Sequence, residues 1–168
     1  MAANIKPEKY PRTEHVIRFQ DCDPLGHLNN TRYIDYFYNT RMDHLLTFYN
    51  FDIYQSMKDT GNAWVVRQNI VQYLVPAFFN ERVMIQTCLH QTGKSGLTME
   101  AVMFRPDREE IKAVLWGEFM YVNMEKGRPV RHEPGLQELL DSVVTGEQAE
   151  LALFPQRVKY LRKNFIFG

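Results

Sequence analysis

The stretch DCDPLGHLNN, from Asp21 to Asn30, separates a short apolar segment from the longest helical pattern in the chain. Pro24 and Gly26 disfavour regular structure within it, because proline lacks a backbone N–H and glycine favours turns. An asparagine at the end of the stretch can cap the free N–H groups of a first helical turn. The stretch therefore predicts a loop that leads directly into a helix beginning at about Asn29 or Asn30.

After this loop, apolar residues recur at helical spacing as far as about Asn50. They are Ile34, Phe37, Tyr38, Met42, Leu45, Phe48 and Tyr49. At about 100° per residue these side chains share one face, with polar residues opposite. The pattern predicts one long amphipathic helix that packs on a core.

Outside this helix the apolar period changes to two residues, which is typical of β-strands. The predicted strands are His15–Phe19, Ala63–Val75, Glu81–Gln91, Leu97–Arg105 and Glu109–Val122. Short connections such as Gly93–Gly96 indicate antiparallel hairpins, and Gly135–Val144 is predicted to form a short second helix. The sequence thus predicts an α+β fold, in which an antiparallel sheet of about five strands packs on one long helix.

The two ends of the chain have a different character from the middle. We expect residues 1–13 to form an N-terminal arm, residues 14–146 one domain, and residues 147–168 a C-terminal extension. The extension ends on Phe165, Ile166 and Phe167, and such an apolar end usually docks on its own domain or on a sister subunit. Because one helix cannot cover both faces and the edges of a sheet, a homo-oligomer is also expected.

Composition limits the classes of partner and compartment. The 168 residues carry 20 Lys+Arg and 20 Asp+Glu, a net charge of zero, whereas nucleic-acid binders usually carry a basic excess. Cys22 and Cys88 form neither a pair motif nor a disulfide framework, which favours a reducing compartment. The N-terminus lacks the apolar core of a signal peptide, and the run Tyr73–Phe79 is too short to span a bilayer. We therefore expect a cytoplasmic protein with no nucleic-acid partner and no membrane span.

One turn resembles a phosphate-binding motif but does not match its full pattern. Gly93, Lys94 and Ser95 resemble the end of a phosphate-binding P-loop, but Cys88 stands where that motif needs its first glycine. The segment also joins two predicted strands, whereas a P-loop joins a strand to a helix. A hairpin turn is the expected structure.

The acidic residues of the loop do not form a recognisable metal motif either. The spacing of Asp21, Asp23 and His27 matches no established set of ligands, and acidic residues beside proline and glycine commonly form turns. Cys22 lies between the two aspartates, whose charges raise the pKa of its thiol and oppose thiolate formation. We expect neither a metal site nor a cysteine nucleophile in this loop.

What remains is a carboxylate in a loop that enters the N-terminus of a long helix. The free N–H groups of such an N-terminus can stabilise an oxyanion, and a base or nucleophile beside them is the minimum apparatus for attack on an activated carbonyl. From the residues alone, a helix-capping role and a catalytic role both stay open, and capping is the commoner role of such residues.

The order of residues from the loop into the helix is similar to the signature of hotdog-fold acyl-CoA thioesterases, above all the 4-hydroxybenzoyl-CoA thioesterase family. The resemblance consists of Asp21, Asp23, Gly26, His27, Asn29, Asn30 and Tyr33, followed later by Tyr73 with Pro76 and by Gly127 with Pro129. It covers about Glu14 to Pro134 and leaves out the C-terminal extension. It implies a hotdog fold, in which the sheet wraps around the long helix.

The resemblance also implies an activity, the hydrolysis of acyl-CoA thioesters without a cofactor. In that family the second aspartate of the motif, here Asp23, is catalytic, either as a nucleophile that forms an acyl-enzyme anhydride or as a base for water. A backbone N–H near Asn30 polarises the thioester carbonyl. The resemblance further implies that Gly26, His27, Asn29 and Tyr33 border the substrate or hold the loop.

Other features of the site are less determined by the resemblance. Coenzyme A contacts vary in the family, so the nearest basic and polar candidates are Lys94 and Ser95 in the turn, with Arg128 and Arg131 in a later loop. Sites in this fold lie between two subunits, which implies an active dimer, or a tetramer built from two dimers. Two alternatives remain open: a thioesterase that acts on acyl carrier protein, and a non-enzymatic acyl-CoA-binding protein.

Overall fold

An antiparallel sheet lies against one long helix in the computed structural model, which describes residues 7–146 and 153–167. The elements are β1 (Arg12–Val16), α1 (Asn30–Tyr49), α2 (Ile53–Thr60), β2 (Asn62–Tyr73), β3 (Arg82–Thr92), β4 (Gly96–Arg105), β5 (Glu110–Asn123), β6 (Arg128–Pro129), α3 (Pro134–Val143) and α4 (Phe154–Asn164). The strand order is β1-β3-β4-β5-β2, with β6 paired to β5. The predicted α+β layout of about five long strands and one long helix is confirmed.

The long helix α1 begins and ends at the predicted positions. The Asn29 side chain accepts a 3.0 Å hydrogen bond from the Thr31 N–H and so caps the first turn. Asn50 ends the helix in the left-handed conformation, with φ 49°, which asparagine tolerates better than most residues. Both boundaries therefore follow from local sequence.

The sheet buries apolar side chains on both faces. Met99, Ala101 and Met103 of β4 pack toward α1 together with Phe37, whereas the alternate residue Val102 belongs to the core on the other face. This alternation follows from the two-residue period of a strand. Both faces of the central strands therefore lie in a core.

The outer face of the sheet is covered by α4, which the sequence did not predict as a helix. Phe154, Val158 and Leu161 pack there against strand residues. A buried ion pair fixes the helix, because Arg157 donates two 2.8 Å hydrogen bonds to the Glu100 carboxylate. The expectation that the tail docks on its own domain is confirmed for residues 153–167, while residues 147–152 and 168 lie outside the described residues.

One local prediction is wrong, and one helix was not predicted. The first strand was predicted at His15–Phe19 but lies at Arg12–Val16, because its position is set by pairing with β3, where Val16 faces Arg82. Phe19 instead begins a 3-10 turn and is 78% exposed. The helix α2 was missed, although Asp52 caps its N-terminus and Gly61 ends it in the left-handed conformation.

Within residues 7–146 and 153–167, no helix is both long enough and apolar enough to cross a membrane.

Candidate functional site

A cleft opens where the loop after β1 enters α1. Its lining consists of Asp23, His27, Leu28, Asn30, Tyr33, Tyr73, Leu74, Val75 and Pro76. The cleft brings together four of the residues singled out from the sequence, namely Asp23, His27, Asn30 and Tyr33. The opposite wall comes from the end of β2, about forty residues later in the chain.

Asp23 is held by one carboxylate oxygen only. Its Oδ1 accepts hydrogen bonds from the N–H groups of Leu25, at 2.9 Å, and His27, at 3.0 Å. The Asp23 N–H in turn donates to the His27 carbonyl at 2.8 Å. Among the described residues nothing binds Oδ2, so this oxygen is available to a ligand while the side chain keeps a fixed orientation.

Asp21 has a different environment, although it lies only two residues away. The Tyr36 hydroxyl donates a 2.9 Å hydrogen bond to Oδ2 of Asp21, and the Arg32 Nε lies 3.6 Å from Oδ1. The Asp21 carbonyl also accepts the N–H of Asn29 at 2.9 Å. Asp21 therefore ties the loop to the first turns of α1 and does not line the cleft.

The N-terminus of α1 supplies a hydrogen-bond donor to the cleft. The Thr31 N–H is used by the Asn29 cap, and the Arg32 N–H donates to the Asn29 carbonyl. Within the described part of the chain, no group accepts the N–H of Asn30. The positive end of the helix dipole acts at the same place, so an oxyanion or a carbonyl oxygen can be bound there.

Two tyrosines frame this donor. The Tyr73 hydroxyl donates a 2.8 Å hydrogen bond to the Asn30 carbonyl, and the Tyr33 hydroxyl accepts the N–H of Ala77 at 3.0 Å. The two rings meet edge to face at 5.1 Å. Burial raises the pKa of both Tyr33 and Tyr73, so both phenols stay neutral at ordinary pH.

The loop that carries Asp23 is bonded along its length to the segment after Pro76. The Leu28 N–H donates to the Ala77 carbonyl at 2.8 Å, and the Phe79 N–H donates to the Gly26 carbonyl at 2.9 Å. The His27 ring packs edge to face on Phe78 at 4.9 Å. This pairing holds the loop rigidly below the cleft.

Gly26 has a conformational role in this loop. Its φ of +74° lies in the left-handed region, and a Cβ built on it meets no atom within 4 Å. Glycine is favoured here because other residues adopt this backbone conformation at a cost. Gly26 does not line the cleft, and Asn29 acts as the helix cap.

The structure does not bring the predicted coenzyme A candidates to the cleft of the same chain. Lys94 and Ser95 lie in the turn before β4, where their carbonyls accept the N–H groups of His132 and Tyr121. Arg128 in β6 pairs with Asn123 at that same end of the sheet. Arg131 follows β6 closely and is exposed. The four candidates thus lie at the end of β5 far from Asp23.

Neither a cysteine nucleophile nor a metal centre is formed at the cleft by the described side chains. Burial raises the pKa of the Cys22 thiol, and the charges of Asp21 and Asp23 raise it further. Within residues 7–146 and 153–167, no three His, Cys, Asp or Glu side chains are grouped as a metal site would require.

A second, apolar cavity lies at the other half of α1. It is lined by Tyr38, Arg41, Met42, Leu45, Tyr49, Phe51, Ile53, Trp64, Leu97, Met99, Phe119, Leu136, Leu139, Leu140 and Val143. Its walls come from three helices and three strands, so no local pattern could have indicated it. A ligand that fills it must be largely apolar.

Comparison with known proteins gives a consistent result. The profile of the Thioesterase-like superfamily matches residues 17–140. The long-chain acyl-CoA thioesterase FadM of Escherichia coli K12 is 27% identical over 134 residues, which cover 79% of this chain and 98% of that protein.

Solved structures share the fold. The DHNA-CoA thioesterase of Staphylococcus aureus superposes with a TM-score of 0.71 at 20% identity, covering 80% of this chain and 90% of that one. A Thermus thermophilus thioesterase complexed with coenzyme A and Zn gives a TM-score of 0.64 at 26% identity, covering 79% and 92%. The hotdog fold implied by the sequence resemblance is confirmed.

Proposed function

The chain belongs to the thioesterase-like superfamily, and from this premise we propose that it hydrolyses long-chain acyl-CoA thioesters at the cleft beside α1. One observation carries the proposal: Asp23 and Asn30 line the same cleft, and among the described residues neither Oδ2 of Asp23 nor the N–H of Asn30 has a hydrogen-bond partner. The acyl-CoA class is supported by the similarity to FadM. The apolar cavity is suited to the methylene groups of an acyl chain, and the long-chain class rests on the similarity to FadM.

The Asn30 N–H is the proposed donor to the thioester carbonyl oxygen. Attack on that carbonyl places negative charge on the oxygen, and a fixed N–H at the positive end of a helix stabilises the charge as it develops. The Tyr73 hydrogen bond to the Asn30 carbonyl and the Asn29 cap fix this turn of α1. The donor therefore needs no rearrangement at the moment of reaction.

Asp23 is the proposed catalytic carboxylate, and two routes are consistent with its position. As a nucleophile, Oδ2 bonds to the carbonyl carbon, the C–S bond breaks, coenzyme A leaves as a thiolate, and water then hydrolyses the acyl-aspartyl anhydride. As a general base, Asp23 takes a proton from a water that attacks the same carbon, and the thiolate leaves with that proton. Both routes yield a free acid and coenzyme A.

The test is a hydrolysis screen over acyl-CoA chain lengths, with a thiol reagent that reports free coenzyme A. We expect turnover to increase toward long chains. Acyl-carrier-protein thioesters at equal concentration serve as the comparison. Faster hydrolysis of the carrier-protein thioesters would favour that substrate, and binding of acyl-CoA without any turnover would favour a non-enzymatic binding protein.

Only the nucleophilic route can place oxygen from water on Asp23. In the nucleophilic route, a single turnover in ¹⁸O-labelled water leaves label on Asp23 and an unlabelled oxygen in the acid when water attacks the aspartyl carbonyl of the anhydride. Attack on the acyl carbonyl labels the acid, as the general-base route does. Label found by mass spectrometry in the peptide that contains Asp23 would therefore assign the nucleophilic route.

We also propose that the active unit is a dimer formed through the free edge of β2. This strand pairs only with β5 among the described strands, and Val65 and Val66 on it are 40% and 51% exposed. An uncovered edge strand with apolar side chains is a ready site for pairing with a second strand. A two-fold dimer would pair β2 with its own copy in antiparallel orientation.

Such a dimer accounts for the separation of Lys94 and Ser95 from Asp23. Gly96, which follows them, lies level with Val65, since both pair with Met120. Tyr73 at the cleft is eight residues farther along β2, about 26 Å at the usual rise. Antiparallel pairing brings the Val65 end of one copy near the Tyr73 end of the other, so one subunit would offer Lys94 and Ser95 to its partner's cleft.

Light scattering tests the dimer directly. We expect a mass of twice 19.9 kDa at micromolar concentration, or four times that mass if dimers associate. The Val66→Lys variant places charges on the proposed interface and should give monomers, while Val130→Lys, outside β2, should not. A folded wild-type monomer at these concentrations would contradict the proposal.

A further inference from the structure

A lysine is almost completely buried behind the wall of the cleft. Lys112 of β5 is 1% exposed, which is rare for lysine unless its charge is paired. Its Nζ lies 2.8 Å from Oε1 of Glu81 and donates a 3.0 Å hydrogen bond to the Pro76 carbonyl. Glu110 also contacts the same ammonium. Lys112 itself does not line the cleft.

Stability alone does not explain this ion pair. Removing two charges from water is costly, and apolar residues of similar size are often equally stabilising or better. A methionine has nearly the length of a lysine and could fill the same space. The ion pair therefore indicates that a neighbouring segment must be held in a fixed position. The contacts of Glu81 show which segment this is.

Glu81 fixes the turn that supports the loop carrying Asp23. Its Oε2 accepts the Phe78 N–H at 2.8 Å, while Oε1 binds Lys112 and, at 3.2 Å, Arg105. Burial alone raises the pKa of a carboxyl group, but the hydrogen bonds from Lys112 and from the Phe78 N–H hold the pKa of Glu81 below its ordinary value. The carboxylate is thus charged at neutral pH and holds the Phe78 backbone in place.

The loop that carries Asp23 is hydrogen-bonded to the backbone on either side of Phe78. Ala77 accepts the Leu28 N–H and Phe79 donates to the Gly26 carbonyl, while His27 pairs with Phe78. The His27 N–H donates a hydrogen bond to Oδ1 of Asp23. Lys112 is therefore connected to the Asp23 carboxylate by hydrogen bonds that alternate with short backbone segments of one turn and one loop.

We propose that Lys112 is a positioning residue for the proposed thioester hydrolysis, which acts through Glu81 and the Pro76–Phe79 backbone to hold Asp23 toward the thioester carbon. This inference rests on the proposed function. Its physical basis is that a reacting group displaced by about 1 Å can lose on the order of a hundredfold in rate. Lys112 touches neither the substrate nor the reacting atoms.

A second buried cation serves as a control for this lysine. Arg157 forms the second buried ion pair, with Glu100, on the face covered by α4, and neither residue lines the cleft. Lys112→Met and Arg157→Met each remove one buried cation; the first leaves the carboxylates of Glu81 and Glu110, the second that of Glu100. Glu81 keeps its contact with Arg105 in the first variant, which favours folding.

The experiment compares kcat, KM and melting temperature for these two variants and for Lys112→Arg. We expect both methionine variants to melt at lower temperature, and only Lys112→Met to lose kcat, by about ten- to a hundredfold, with KM changed less than about threefold. Lys112→Arg, which retains the charge, should recover most of the kcat. Equal kcat losses in both methionine variants, unchanged kcat in Lys112→Met, or a KM effect alone would overturn the proposal.

A second measurement separates this proposal from the proposed function. Amide hydrogen exchange at Leu28 and Phe79, whose N–H groups donate to Ala77 and Gly26, should be faster in Lys112→Met than in Arg157→Met. Exchange unchanged by Lys112→Met would overturn the coupling even if activity fell. A wild-type protein that hydrolyses no thioester would overturn the proposed function, and the exchange rates would then decide the coupling by themselves. If Lys112→Met does not fold, Glu81→Gln, of nearly equal size, is measured in its place with the same expectations.

Discussion

Asp21 and Asp23 lie two residues apart in one loop, yet only Asp23 presents a free carboxylate oxygen to the cleft. Asp21 is bound by the Tyr36 hydroxyl and lies beside Arg32, whereas Asp23 accepts two backbone N–H groups through Oδ1 and, from the described part of the chain, no other hydrogen bond. The sequence resemblance implies a catalytic role for the second aspartate only, whereas the residue types alone do not separate the two. Their different hydrogen bonds lead to opposite predictions for the same substitution.

The first prediction is that Asp23→Asn lowers kcat by about 10²–10⁴, the scale of a lost general base. The amide keeps the size of the side chain and can still accept the two N–H groups through its oxygen, but it is a poor base and a poor nucleophile. The affinity for acyl-CoA should change little, which marks an interaction used in the transition state. Steady-state kinetics and equilibrium binding measure the two effects.

Asp21→Asn is the control for this substitution. It should lower the free energy of unfolding through Tyr36 and Arg32 and reduce kcat far less. Near-normal activity of Asp23→Asn combined with severe loss in Asp21→Asn would reverse the assignment.

The second prediction separates the two asparagines at the start of α1. Asn29→Ala removes the cap on the Thr31 N–H and should lower the free energy of unfolding by about 1 kcal/mol. Asn30→Ala leaves the backbone N–H in place, so kcat should stay within about threefold of the wild type if that N–H polarises the carbonyl. A large kcat loss in Asn30→Ala would instead assign the function to its side chain.

The sequence resemblance named one half of the cleft lining, because that half lies in one continuous stretch. The loop and the start of α1 carry Asp23, His27, Asn30 and Tyr33, whose catalytic and binding roles stay predictions. Tyr73 was noted as part of the resemblance but not as a site residue. Its hydrogen bond to Asn30 depends on how β2 lies beside α1, which no local pattern contains.

The buried face of α1 shows the limit of hydrophobic periodicity. Thr40, Arg41 and His44 are buried there, whereas Phe48 of the predicted apolar stripe is 42% exposed. The polar residues are accommodated by partners on other elements, such as Thr87 of β3, which bonds His44. Such pairings depend on tertiary structure, as does the packing of α4 on the sheet. Neither could therefore be predicted from the local sequence.

The third prediction concerns pH and the buried His44. Its Nδ1 lies 2.8 Å from the Thr87 hydroxyl, its Nε2 2.9 Å from that of Thr13, and burial, with the charges of Arg41 and His15, lowers the pKa of His44 to about 4. Between about pH 6.5 and about 4, the unfolded chain binds a proton at this residue and the folded chain does not. The contribution of His44 to stability is therefore complete above about pH 6.5 and is lost as pH falls toward 4, by at most about 3 kcal/mol.

Urea unfolding at several pH values measures this effect. The wild type and His44→Gln share all other titrating groups, so the difference between their unfolding free energies isolates His44. We expect the wild type to lose more stability than the variant between about pH 6.5 and about 4. Parallel curves would show that His44 titrates normally in the folded state.

The fourth prediction concerns metals, since a Thermus thermophilus thioesterase of this fold was solved with coenzyme A and Zn. The proposed reaction uses a carboxylate and a backbone N–H, so prolonged treatment with a chelator followed by desalting should leave kcat unchanged. Metal analysis of the same sample checks that the treatment was complete. Loss of activity that one divalent ion restores would assign a metal to the site.

The last prediction tests where the acyl chain lies. The apolar cavity beside α1 includes Leu45 and Leu97 in its lining, so Leu45→Trp should fill part of it with the larger indole. If the acyl chain occupies this cavity, kcat/KM for long acyl-CoA thioesters should fall by about tenfold or more, since each buried methylene contributes about 0.8 kcal/mol. Short acyl-CoA thioesters, which do not reach the indole, should be hydrolysed nearly as before.

The exposed neighbour Leu46, 56% accessible, gives the control Leu46→Trp, which should not alter chain-length preference. An equal loss for short and long chains in Leu45→Trp would place the acyl group elsewhere and leave the cavity as a packing defect.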